Sequence, residues 1–569
     1  AAADPRVDSW LTTGTSRYAR LYETDADLAA GTTRTTWSRG TITQALPAYC
    51  GVQEVLSSVN WVYLRTTGLG SHPMGPWYLN AARTQNFPNF PSNKKVTYRI
   101  PRAPTVPATK TLTGLGSIGY FVDGVAMFDT RDGFVWTGTA ESGGGAAGYW
   151  NRDAYVNEGI TFDPALAHQP GDGTYHYHAN PAALRHQLGD HVDYNTPTRT
   201  YVESSAPATR HSPILGWVRD GYPIYGPFGY SNATNPASGV RRMISGYVLR
   251  DGQNGTDNLV VSGRASIPAW AVRLYNVSSN QAGPAVSATY PLGRYMEDNA
   301  YLGDLGRVQG TDFDLDEYNG RFCVTPEFPG GTYAYFVSIA ANGAPVYPYN
   351  IGRAFHGNPS GSAVANITEA VTTNFVGGPN RPLQLDRPAS TNGTVTLTWS
   401  AVEGGTYRVE GSTNLTAWAG VATNVAANLD TGSFSEAVSA GARAYRVTRT
   451  ALASYDSFTT TTNGGTSSGI LSVTPTSAAR GSTFTLTVNL DPAAVPALPP
   501  ATAPVNSVTI GAVAGTSRVH VSQTQVTASF TLPAGAVTGP QTVTVVFPGP
   551  PNNPGATITY TLANGFTIN

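Results

Sequence analysis

Cysteine is almost missing from this chain: 569 residues contain two, Cys50 and Cys323. They are far apart and form no CxxC spacing, so no thiolate metal motif is written here. In an oxidising compartment a bond between them would close a long loop and add roughly 5 kcal/mol in the chain-entropy model. Otherwise they are two inert buried thiols. Charge is scarce as well. Charged residues make up 12 %, about half of the roughly 25 % usual in soluble domains. The net charge is −1, with no basic stripe or acidic tail. Phosphate backbones are held by clustered Lys and Arg, so no nucleic-acid partner is expected. No apolar run approaches the roughly 18 residues that span a bilayer, so no transmembrane segment is expected. GxSxG, Walker and HExxH motifs are missing. "GLGSIG" (114–119) satisfies GxGxxG, but a strand pattern, "YFVDGVAMF", follows where a pyrophosphate site needs a helix N-terminus. The chain opens on Ala1 rather than methionine, and the expectation is an exported protein, extracellular or at the cell surface, with its signal peptide removed.

What is present is glycine (62), proline (41), threonine, valine and tyrosine (30), a composition that favours strands and tight turns. A mass of 59.8 kDa exceeds what one core supports, so several domains are expected. The reading is an all-β protein: a core domain over 1–378, a β-sandwich over 379–456, a Thr/Ser/Gly-rich linker over 457–469 and a second sandwich over 470–569. In the core, Asp-Gly and Asn-Gly dipeptides such as Asp123-Gly124, Asp220-Gly221 and Asn319-Gly320 punctuate short aromatic runs, as hairpins require. One helix is expected, "NPAALRHQLGD", capped by Asn180 with Pro181 at its first position. In the sandwiches, Val395, Leu397 and Trp399, and then Phe484, Leu486 and Val488, alternate as one face of a strand.

The core repeats itself. "GYFVDGVAMFD" (119–129) matches "GWVRDGYPIYG" (216–226), and "GDGTYHYH" (171–178) matches "PGGTYAYF" (329–336), which predicts two related lobes. The tyrosines persist in the second copy, whereas His176 and His178 become Ala334 and Phe336. Along a strand, residues i and i+2 share a face, so His176 and His178 project together, and Tyr175 and Tyr177 point the other way. Two imidazoles are too few for a stable transition-metal site. Six of the nine histidines lie within residues 168–211, and the further ligand is expected first from His168, then from His211, with His72 and His186 behind them. An all-imidazole set suits copper or zinc, with copper preferred. Asp172, Asp190, Asp193 and Asp220 are candidates to orient the rings. Asp312, Asp314 and Asp316 alternate before a turn and form a candidate calcium cluster, although the glycine and glutamate of an EF-hand loop are missing.

The set "EGITFDPALAH", "GDGTYHYHANP", "HSPILGWVRDGYPIYGPFGY" and "DLDEYNGRFCVTPEFPGGTYAYF" resembles the YHYH-domain family of exported bacterial proteins over about residues 45–360. The resemblance implies a shared fold and a shared histidine site at His168, His176, His178 and His211, and no particular reaction. Where it implies cysteines, this chain has Pro164 or Ala165 and Tyr318, so a disulfide there is missing or rewired through Cys50 and Cys323. Residues 379–450 resemble a fibronectin type III module, and 470–569 resemble an IPT/TIG immunoglobulin-like domain. Three functions fit: a secreted metal-binding protein, a metal-dependent extracellular enzyme with redox or hydrolytic chemistry, and a surface adhesin or assembly subunit. The tail modules admit contact with a cell surface or extracellular matrix and self-association into homo-oligomers.

Overall fold

The two Asp-Gly repeats fold as the same hairpin. In a computed structural model of the chain, strands β1 (Ser117–Phe121) and β2 (Ala126–Phe128) are joined through Asp123-Gly124. Gly124 and Gly221 adopt φ values of 84° and 87°, a region in which a side chain is strained. Strands β3 (Ala167–His168) and β4 (His176–Tyr177) form a short hairpin beside β2. The second copy supplies β5 (Ile214–Val218) and β6 (Pro223–Tyr225), followed by the hairpin β7 (Gly320–Cys323) and β8 (Thr332–Phe336). All eight make one sheet in the order β3-β4-β2-β1-β5-β6-β8-β7. The pairings mirror each other. Strand β4 runs parallel to β2 with Tyr177 opposite Met127, and β8 runs parallel to β6 with Tyr335 opposite Ile224. Antiparallel β1 and β5 form the seam.

The structure describes residues 4–437, 443–457, 469–490, 498–548 and 557–569. It is all-β, 40 % strand and 8 % helix. A five-stranded antiparallel sheet, with strands 52–57, 61–66, 96–101, 362–364 and 372–376, accompanies the eight-stranded one, and one continuous apolar core contains residues of both, Val55 and Leu64 with Trp217 and Tyr335. The expected helix forms as α2 (Ala182–Gln187), after α1 (Ala154–Glu158), but Pro181 takes the cap position. Asn180 instead accepts a hydrogen bond from Arg185 Nη1 at 3.1 Å. A longer helix, α3 (Ala269–Tyr275), escapes the sequence reading; it is bracketed by Pro268 and a left-handed Asn276.

The chain divides into two compact units, one containing 1–364 and 372–458, the other 365–371 and 459–569. In the first unit, two three-stranded sheets enclose Leu397, Trp399, Tyr407 and Val409, and Leu397 and Trp399 belong to the alternating stripe of the sequence. Glu403 ties this sandwich to the N-terminal segment: its carboxylate accepts from Tyr18 N at 2.8 Å and pairs with Arg20 at 2.5 Å. The second unit is a sandwich of a four- and a five-stranded sheet packed through Leu486, Val488 and Phe530. Of the Thr/Ser/Gly-rich stretch 457–469, residues 458–468 lie outside the described residues. Cys50 and Cys323 are free and buried. Cys50 gives its thiol hydrogen to Gly14 O at 3.0 Å, and Cys323 sits on β7, so the pairing that the sequence left open is not made.

Candidate metal centre

The β3–β4 hairpin sets His168 directly opposite His176. His178 follows just beyond β4 and shares the His176 side, because a strand returns to the same face every second residue. The result is a cluster of three buried imidazoles, at 6 %, 2 % and 4 % exposure for His168, His176 and His178. One nitrogen from each lies within 4.8 Å of the others, a grouping that could hold a metal ion. Phe128 stacks on the His176 ring at 3.8 Å and Phe162 packs against the His168 ring, so the rings are held by packing as well.

Each Nδ1 is engaged. His176 Nδ1 donates to Thr174 O at 2.8 Å, and His178 Nδ1 donates to Asp129 O at 2.6 Å. A carbonyl only accepts, so both rings carry the Nδ1 proton when neutral and present a lone pair at Nε2. His168 Nδ1 lies 2.7 Å from Thr161 Oγ1, whose own hydrogen goes to Glu158 O at 2.6 Å; its Nε2 is freed in the same way. The consequence is electrostatic. His176 Nε2 and His178 Nε2 face each other at 2.9 Å, and two lone pairs at that separation repel unless a proton or a cation lies between them.

Burial favours the neutral rings. It pushes His178 down to about 4 and lowers His168 and His176 well below the ordinary histidine value, with neighbouring imidazoles adding to the effect. Neutral imidazole is the form a metal takes up. A carboxyl group stands beside them. Glu158, at the end of α1, places Oε2 3.5 Å from His168 Nε2 and 3.4 Å from His178 Nε2, and burial, followed by the nearby Asp132, raises its carboxyl to about 8. Glu158 opens the motif "EGITFDPALAH", so its signal was in the sequence. What the sequence could not show was that α1 turns this residue back onto β3.

The opposite face holds the tyrosines. Tyr175 OH donates to Asp163 at 2.8 Å, and Tyr177 OH reaches Asp123 at 3.4 Å. In the second lobe Tyr333 OH donates to Asp316 at 2.9 Å and Tyr335 OH to Asp220 at 2.6 Å. These hydroxyls fasten strands to turns and do not face the imidazoles.

His211 does not join the cluster. It packs on Tyr225, Tyr230 and Phe336 with Nδ1 on Ser212 O, because it enters β5, in the other half of the sheet. His72 lies on the tyrosine face, 3.0 Å from Tyr175 OH. His186 bonds to Val192 O. Three of the acids expected around the rings are committed elsewhere: Asp172 to Lys94, Asp190 to Arg185 and Asp220 to Tyr335. Asp193 is exposed. Backbone carbonyls and Thr161 take their place. The calcium cluster is corrected too. Asp314 pairs with Arg241, Asp316 accepts from Tyr333 and two backbone amides, and Asp312 accepts from Val308 N. Alternation along the chain sends these three carboxylates to different partners, and among the described residues they form no metal-binding group.

Residues 97–348 match the YHYH protein family. The YHYH match covers the whole eight-stranded sheet, including both lobes and the three clustered histidines, and it stops short of both sandwiches. No curated protein matches the chain. Among the described residues no helix is long and apolar enough to cross a membrane.

Proposed function

We propose that this is an exported metal-binding protein that holds one divalent transition-metal ion on the Nε2 atoms of His168, His176 and His178, with Glu158 as the fourth donor. The observation that carries the reading is the engagement of all three Nδ1 atoms, which leaves the Nε2 lone pairs free in a cluster whose ligand nitrogens lie within 4.8 Å of one another. Carbonyl and hydroxyl partners behind ligating histidines are the usual outer support of such sites. Copper is favoured and zinc comes second: imidazole donors suit both, and a given nitrogen site binds Cu²⁺ more tightly than Zn²⁺. Bound there, the ion would replace the repulsion between His176 and His178 with coordination. Glu158 is the most exposed of the four, its side chain 28 % accessible, and it would cap the ion on the side nearest solvent.

Elemental analysis of untagged protein, purified without added metal, tests this. About one copper per chain, with zinc as the second outcome, is expected from the ligand set. Protein that takes up neither ion, even after incubation with each, would overturn the proposal.

A further inference from the structure

Separate from the histidine cluster, a cavity of about 520 Å³ is lined by Trp136, Tyr149, Tyr275, Asn151, Arg131 and Arg353 among others. This is within the range of small-molecule sites, which combine apolar walls with a few placed polar groups. Two guanidinium groups converge in its wall on one carbonyl: Arg353 Nη1 donates to Thr113 O at 2.5 Å and Arg131 Nη2 donates to it at 3.1 Å. Like charges so close need counterions. Arg131 has one, Asp129, at 2.8 Å. Arg353 is 6 % exposed, its Nε is buried with no hydrogen-bond partner, and among the described residues no carboxylate forms an ion pair with it. Its nearest ring is Tyr275, 5.7 Å from the guanidinium carbon.

Glu297 and Asp129 lend their fields to the Arg353 cation, but neither forms an ion pair with it. Glu297 accepts from Tyr275 OH at 2.6 Å and from both nitrogens of Asn151, and burial raises its carboxyl to about 7. Burying an unpaired cation is costly. Here the cavity wall holds two guanidinium groups, of which only Arg131 has an ion-paired carboxylate among the described residues, with three aromatic side chains beside them.

We infer that this cavity binds a small organic monocarboxylate carried on a ring, its carboxylate bound by Arg353 and its ring lying against Trp136 and Tyr149. A carboxylate would give Arg353 the ion pair it lacks, and guanidinium groups match carboxylate geometry closely. Aromatic faces accept either a sugar ring or an aromatic ring, so a uronic acid and an aromatic acid are the two sources of this chemistry. The cavity lining does not include the three clustered histidines, although Asp129 touches both places, its backbone oxygen on His178 and its carboxylate on Arg131.

Calorimetric titration of the full chain tests the inference, with glucuronate and 4-hydroxybenzoate as probes and glucose and phenol as their neutral counterparts. At least one acid is expected to bind, about tenfold or more tightly than its neutral counterpart, the size of one charge-assisted contact. Arg353→Gln should abolish that preference, and Trp136→Ala should weaken the acid about tenfold while leaving the fold intact. Should Arg353→Gln fail to fold, Trp136→Ala and the acid-against-neutral comparison decide. Binding of neither acid, equal binding of acid and neutral forms, or full affinity in Trp136→Ala would overturn it.

Discussion

His168 and Arg321 occupy the same position in the two halves of one sheet. His168 lies opposite His176 in its hairpin, and Arg321 lies opposite Ala334. In both halves the neighbouring tyrosines reach carboxylates in the same way, so the strands close without imidazole. The protein therefore contains two versions of one frame, one furnished with histidines and one without.

Replacing His176→Ala and His178→Phe copies the second lobe into the first. The variant is expected to fold, because Ala334 and Phe336 already occupy those places, and to lose the proposed metal binding, since one remaining histidine cannot hold a transition ion. Circular dichroism beside elemental analysis checks both halves of the claim. Metal retained at the wild-type level would place the site elsewhere.

Thr161→Val removes the hydroxyl that engages His168 Nδ1 and keeps nearly the same volume. Outer hydrogen bonds of this kind are worth roughly ten- to hundredfold in metal affinity, so chelator competition should show a weakening of that order. The melting temperature of the metal-free protein should change little.

The tyrosine lattice predicts a pH effect that can be isolated in the second lobe. Burial holds Asp316 protonated up to about 7, whereas an unfolded aspartate releases its proton near roughly 4. Between these values the folded state binds the extra proton, so this contribution to stability is fully present below about 4 and is lost as the pH climbs to about 7. Asp316→Asn has no proton to lose. Relative to wild type it should gain stability as the pH rises from about 4 to about 7, as measured by denaturant midpoints. A difference that does not vary with pH would contradict the assignment.

Glu403 docks the first sandwich on the N-terminal segment with Tyr18 N and Arg20. Glu403→Ala strands a partly buried guanidinium and should cost about 1.5–3 kcal/mol, the range for hydrogen bonds to charged groups. Faster proteolysis near residue 403 together with a lower melting temperature would show it. An unchanged protease pattern would mean that the remaining contacts, such as the Arg17–Asp430 ion pair and the Tyr49 bond to Glu403 O, suffice to hold the sandwich.

Much of this was legible in the residues. Period-two stripes located the strands of both sandwiches, and the internal repeat located the two hairpins. The Tyr-His alternation sorted the two faces of β4 correctly, because side-chain direction along a strand is fixed locally. His211 and Glu158 show where legibility ends. His211 is near the others in sequence, yet the sheet order puts β5 across the seam from β4. Glu158 arrives through a five-residue helix whose direction depends on what it packs against. The aspartates of 312–316 failed for a related reason: alternation predicts a shared face, but nearby arginines and backbone amides claimed each carboxylate first.

The seam between the lobes has a geometry of its own. Gly119 pairs with Val218, Tyr120 with Trp217 and Phe121 with Gly216, and by the repeat Gly119 corresponds to Gly216 and Tyr120 to Trp217. An approximate two-fold axis thus passes through the Tyr120–Trp217 pair. A single lobe would expose β1 as an unpaired edge able to join an identical copy of itself, the self-complementary contact of a symmetric dimer. The chain has the form of such a dimer fused end to end, with the redundancy of duplication leaving one half free to carry the histidines.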